Sequence, residues 1–202
     1  MSSSPPRRLK KRFLFPGILL AVLLGLLGWA VVRGTWVDDL PRDPTTAADG
    51  VVTQLYRTEN GKVVRCAAVF DAPLEAVWAV LTEYDRFSDV FPRVASSRGT
   101  RTPDGRWFLE GAVDAGFLGQ WPFAARIAHA ETADRCSSSW DEPSHDLLIN
   151  RGSWTVSRIG GNRTLVVYVL EVDVKGYPVF IVRNVLLSKL PEIVRAAGAA
   201  VQ

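Results

Sequence analysis

His129 is the residue whose type most readily does chemistry. An imidazole titrates near neutral pH and can serve as a general base or as a polar anchor for a ligand oxygen. It alternates with Phe123, Ala125 and Ile127 over residues 123–130, so the four share a face that should point inward. Tyr168, on another inward run, would be its partner in acid–base work. The competing reading is a structural histidine held by hydrogen bonds. Little else could build a catalytic centre. Two His and two Cys, unclustered, lack zinc-site spacing, so no metal or cofactor is expected. There is no Gly-rich phosphate loop after a strand, no Gly-x-Ser-x-Gly elbow and no Cys/His nucleophile spacing. His145 lies in the turn-rich stretch 141–146, and Glu110, Asp114 and Glu131 read as solvated. Binding fits these residues better than catalysis does.

What the chain offers in quantity is large apolar side chains at alternating positions. Trp78, Phe91, Trp107, Phe123, Ile127, His129, Trp154, Tyr168, Leu170 and Leu186 are candidates to line a hollow and bind a ligand there. Gly152 and Ala125, also expected inward, would leave space. The same residues could instead fill a solid core. Residues 116–122 read as a hairpin loop with Phe117, Leu118 and Trp121 at its tip. Exposed, they would form a gate or membrane contact. The alternative is that the loop folds back over a cavity mouth.

These residues need elements to position them. A β-like run over 62–70 stops at Asp71-Ala72-Pro73. Pro73 suits the first turn of a helix, and Asp71 can supply a capping oxygen. Val77, Trp78, Leu81 and Tyr84 then recur at helical spacing, and a second short piece with Phe87, Val90 and Phe91 stops at Pro92. Residues 51–57 and 62–70 flank the hairpin signal Glu59-Asn60-Gly61. Further strands are expected over 94–100, 106–113 and 123–130. Leu148, Asn150, Gly152, Trp154 and Val156 share a face of the next, and Val166, Tyr168, Leu170, Val172 and Val174 a face of the last. From Pro178 a long helix carries Val182, Leu186, Leu190 and Ile193 on one stripe.

In order and spacing these motifs resemble the START-like superfamily, the helix-grip fold of lipid-transfer, coenzyme Q-binding and polyketide cyclase/dehydrase proteins. The resemblance rests on Ala72-Pro73-Leu74-Glu75-Ala76-Val77-Trp78, on Tyr84 to Pro92, on Arg151-Gly152-Ser153-Trp154-Thr155-Val156, on the strand 164–174 and on Tyr177-Pro178. It covers roughly residues 62–200. It implies an α+β fold, with a curved antiparallel sheet of about seven strands around a long C-terminal helix. The hollow between them would take a lipid, a quinone or another hydrophobic small molecule. A cyclase/dehydratase-type enzyme using His129, or an interaction module with a filled core, are the alternatives. In the helix-grip strand order Cys66 and Cys136 stand roughly two strand spacings apart, at about 4.8 Å each, which is beyond disulfide reach, so two free thiols are expected.

An N-terminal transmembrane helix should precede this domain. Residues 13–32 hold no charge over 20 positions, a helix of about 30 Å. Arg7, Arg8, Lys10, Lys11 and Arg12 precede it, which puts the N-terminus in the cytoplasm and the domain outside. A cleaved signal peptide is the rival, with an overlong apolar core and no Ala-x-Ala site after it. The organisation is then a basic tail (1–12), an anchor (13–32), a linker (33–50) and the START-like domain (51–202). Gly17, Ala21 and Gly25 share a face that would let two anchors pack as a weak dimer, unless chance composition explains them. Taking the tail's five cations from the net +3 leaves residues 33–202 at −2, so no nucleic-acid surface is expected. Arg outnumbers Lys 19 to 5, a bias associated with GC-rich bacterial genomes. The expected location is therefore a bacterial inner membrane.

Overall fold

The computed structural model describes residues 22–29, 31, 38, 42–46, 50–58, 61–116 and 119–201. Eight of its strands form one antiparallel sheet: β1 (Val51–Thr58), β2 (Gly61–Phe70), β3 (Val94–Arg101), β4 (Trp107–Asp114), β5 (Gln120–Glu131), β6 (Arg135–Asp141), β7 (Leu147–Arg158) and β8 (Thr164–Val174). Their order is β1-β2-β8-β7-β6-β5-β4-β3, so the first hairpin closes onto the last strand. Between β2 and β3 come α1 (Leu74–Thr82), a 3-10 turn (Tyr84–Arg86) and α2 (Phe87–Val90). After β8 comes α3 (Val179–Ala200).

The sheet has one strand more than the seven expected. The addition is β6, Arg135-Cys136-Ser137-Ser138-Ser139-Trp140-Asp141. Its three serines blur both the alternation and the β propensity. Its register is nonetheless fixed, with Cys136 opposite Val156 and Trp140 opposite Gly152. A second departure lies at the start of β7. Leu147 pairs with Val174 but Ile149 with Asp173, a bulge between them. The bulge turns Leu148 outward, 53% exposed, while Asn150, Trp154 and Val156 stay buried. Leu148 therefore does not share their face.

Pro73 sits extended just before α1, and its carbonyl accepts the N–H groups of Ala76 and Val77. No side chain caps this end, so Asp71 does not play the role expected of it. Glu75 supplies the negative charge in the first turn and binds Arg158 of β7 at 2.7 Å. Leu74, Val77 and Leu81 bury the other face. Along α3, Val182, Leu186, Leu187, Leu190, Val194 and Ala197 are buried. The helix runs through Pro191, which has no N–H for the Leu187 carbonyl.

The linker is not a free tether throughout. Asp38 bridges Tyr56, and its N–H donates to the Leu55 carbonyl at 2.8 Å. The Arg42 N–H donates to Gln54 Oε1 at 2.8 Å, and Arg65 donates to the Arg42 carbonyl at 3.3 Å. Gln54 is buried, so its amide needs partners, and this strap supplies two, the Arg42 N–H to its oxygen and Asp38 Oδ2 to its NH2 at 3.5 Å. Further upstream, residues 22–29 are helical, with Leu23, Leu24, Leu26, Leu27 and Trp29 exposed. No helix among the described residues is long and apolar enough to cross a membrane. Residues 13–21, with Gly17 and Ala21, lie outside the described residues. A Cβ added at Gly25 would meet nothing within 4 Å. Cys66 and Cys136 are free and buried on β2 and β6. Three strand spacings separate these strands rather than two, again beyond disulfide reach.

Candidate functional site

Between the inward face of the sheet and α3 lies a hollow of about 170 Å³. Alternation on β5 presents Phe123, Ala125 and Ile127 to it, β7 presents Asn150 and Trp154, and β8 presents Tyr168, Leu170 and Val172. Val185, Leu186, Leu190 and Ile193 of α3 form the opposite wall, and Tyr84, Phe87 and Phe91 close one end. The rings are ordered. Trp154 and Tyr168 stack with centroids 4.0 Å apart and planes 2° from parallel. Phe91 lies 6.3 Å from Trp154, and Phe87 meets Phe91 edge-on at 4.9 Å.

Of the residues singled out from sequence, Phe91, Phe123, Ile127, Trp154, Tyr168, Leu170 and Leu186 line this hollow. Trp78, Trp107 and His129 do not, because the turn after α1 inserts Tyr84. The Tyr84 ring packs edge-on against Trp107 at 5.4 Å, and its hydroxyl lies 2.6 Å from His129 Nε2. Trp78 packs edge-on against His129 at 5.1 Å. His129 thus braces Tyr84 rather than facing the hollow.

Trp121 is not at a loop tip. It belongs to β5, opposite Val113, and shares the inward face with Phe123 because the strand begins at Gln120. It is buried, lines the hollow and lies 6.3 Å from the Tyr177 ring. Phe117 and Leu118 lie outside the described residues. Gly152 does not leave open space either. A Cβ there would come within 2.5 Å of Trp140 Cζ2 and 2.7 Å of the Val169 carbonyl oxygen. The indole of Trp140 occupies the room that the missing side chain leaves.

Sequence reasoning missed Tyr84, Trp140 and the rim residues Arg93 and Lys189 as parts of this site. Trp140 carried a signal, since it has the same parity as Cys136 and Ser138. Arg93, just after Pro92, carried none. At the rim, Arg93 binds Glu192 of α3 at 3.3 Å and approaches Asp114 of β4 at 3.9 Å, while Lys189 binds Glu192 at 2.8 Å. The Lys189 hydrogen bond, then that of Arg93, holds the Glu192 carboxyl below its ordinary range. Inside, burial pushes the phenols of Tyr84 and Tyr168 well up, so both keep their protons. Burial lowers the His129 pKa below 6.5; Glu131 opposes this and Arg101 adds to it. Of these groups only Tyr168 offers a ligand in the hollow a protonated hydroxyl, since the Tyr84 hydroxyl is engaged with His129. Among the described residues, no His, Cys, Asp or Glu cluster could hold a metal.

Residues 61–199 match the sequence profile of polyketide cyclase / dehydrase and lipid transport proteins. The chain belongs to this family. No curated protein sequence matches it. Among solved structures, human StAR-related lipid transfer protein 5 superposes with a TM-score of 0.68 at 16% identity, covering 92% of this chain and 95% of that one. A STAR-related lipid transfer protein fragment from Xanthomonas axonopodis gives 0.66 at 15% identity, covering 81% and 97%. An aromatase/cyclase from Streptomyces sp. R1128 gives 0.53 at 17% identity, covering 69% and 90%. At such identities the likeness is one of fold. It is the helix-grip fold that the motifs resembled, with eight strands, and as a START-like family member the chain has a fold suited to hydrophobic ligands.

Proposed function

We propose that this chain takes up a hydrophobic small molecule, or the ring or chain of a lipid, in the hollow between the sheet and α3. The observation that carries the reading is a wall of stacked rings, Trp154 on Tyr168, facing an apolar helix across free space, with paired charges only at the rim. A desolvated ligand would be held by apolar burial, about 25 cal/mol for each Å² removed from water. No covalent step is needed. The free space weighs against a filled-core module, and the position of His129 behind Tyr84 weighs against its use as acid or base.

In the same reading residues 13–32 are a single-pass anchor in a bacterial inner membrane, with the domain outside the cytoplasm. The charge-free span and the five preceding cations support it. The membrane would then be source or sink for the ligand, with Phe117 and Leu118 as gate or membrane contact.

Organic extraction of the purified chain, followed by mass spectrometry, tests the binding. We expect a hydrophobic compound at a fixed ratio to protein. Ala125→Phe directs a ring into the hollow from β5 and should remove that compound while circular dichroism stays unchanged. An equal yield from the folded variant would place the ligand elsewhere.

A further inference from the structure

Two polar side chains that line the hollow, Ser138 and Asn150, are more than nine-tenths buried. Asn150 is 7% exposed and lines the cavity from β7. Its orientation follows from chemistry. An indole N–H only donates, and Trp140 Nε1 lies 3.2 Å from Asn150 Oδ1. The amide oxygen therefore faces Trp140, and the NH2 group is turned away from it. Gly152, between Asn150 and Trp154 on the same face, makes this possible, because the Trp140 indole lies where its Cβ would be.

The Asn150 NH2 has no hydrogen-bond partner among the described residues. Nor do the Trp154 indole N–H and the Tyr168 hydroxyl. None of these atoms is sealed within protein, so each borders free space, and all three side chains line the hollow. A buried donor without a partner is costly, and a ligand that satisfies it gains selectivity over one that does not. The nearest cations, Arg93 and Lys189, are engaged with Glu192 at the rim. A ligand's charged group would thus find no unpaired counter-ion inside.

We propose that Asn150, held by Trp140, is the specificity-determining anchor of the hollow. Its NH2 donates to a neutral acceptor oxygen, such as a ring-bound carbonyl, on a flat ligand lying against Trp154 and Tyr168. This rests on the reading of the hollow as a ligand site. Trp140 is a positioning residue, since it acts through Asn150.

The test compares 2-acetylnaphthalene with 2-ethylnaphthalene, nearly the same shape with and without the carbonyl. Binding is measured calorimetrically to the full chain in lipid nanodiscs, with empty nanodiscs as the blank. We expect the ketone to bind about three- to tenfold more tightly, the usual worth of one neutral hydrogen bond. Asn150→Leu should remove that preference and leave the hydrocarbon's affinity within about twofold, as expected where an apolar group replaces a polar one of similar size. The carbon-13-labelled carbonyl stretch should move to lower wavenumber on binding the unaltered chain and less so in Asn150→Leu. If Asn150→Leu does not fold, two other variants decide the matter: Trp140→Phe, which removes the N–H that holds Asn150 Oδ1, should lose the preference and the shift, and Tyr168→Phe, which removes the other hydroxyl donor, should keep both. Equal affinities, or an unmoved stretch, overturn the anchor and leave the hollow as a ligand site. Binding of neither probe overturns both.

Discussion

Gly152 shows how one residue's absence of a side chain shapes the site. Trp154 and Tyr168 were legible from alternation alone, because their neighbours Val156, Val166 and Leu170 keep strict parity. The role of Gly152 was not, since it depends on Trp140 crossing from the adjacent strand. Gly152→Ala should destabilise the fold by about 1–3 kcal/mol, because its Cβ meets an indole and a carbonyl that cannot both move. A denaturant midpoint unchanged from the native chain's would show that Trp140 has room to shift. His129 makes a second prediction at this scale. Its folded-state pKa lies below the ordinary 6.5, so between those values the unfolded chain binds the extra proton. Stability should therefore fall as pH drops from about 6.5 through the folded pKa, and be retained above 6.5. His129→Gln should flatten that part of the curve of unfolding free energy against pH. A curve with the same slope in the variant would assign it to other groups.

Elements were read best where hydrophobic period was strong. The helices around Leu74–Thr82 and Val179–Ala200, and strands β4, β7 and β8, lie where the pattern put them. The failures share a cause, in that local pattern does not report pairing. β6 is specified by its neighbours more than by its three serines, the β7 bulge moves Leu148 with no warning in sequence, and β5 begins early enough to pull Trp121 inside. The rim is likewise a contact between distant elements. Arg93 before β3, Asp114 of β4 and Glu192 of α3 are joined only in the fold. Such partly exposed ion pairs contribute no more than about 1 kcal/mol each. Arg93→Ala should thus leave the midpoint of unfolding nearly unchanged and speed ligand exchange a few-fold. Stopped-flow quenching of tryptophan fluorescence by 2-acetylnaphthalene would read that rate. An unaltered rate would put the portal away from this rim.

At the scale of the whole molecule, the docked strap changes how the domain relates to a membrane. With Asp38 fixed on β1, the proposed anchor ending at 32 would be separated from it by five residues, no more than about 20 Å of chain. The domain would stay beside the bilayer and exchange ligand with it, rather than swing across a gap. Protease added outside intact bacterial spheroplasts should then remove the domain and leave a fragment containing residues 13–32. A protected domain, or a mature N-terminus between residues 30 and 50, would contradict the anchor. The family and its helix-grip architecture were legible from sequence, because their motifs recur in order and at matching spacing from Ala72 to Pro178. The hollow was legible only as one of two alternatives, the other being a filled core, since free space depends on how side chains from β4 to β8 meet α3. Its location is therefore the measurement that matters most. Crystals of the chain soaked in 2-bromonaphthalene and measured at the bromine edge should show one anomalous peak between Phe123, Tyr168 and Leu186. A peak only on the outer surface, or no peak in crystals that diffract well, would contradict an internal ligand site.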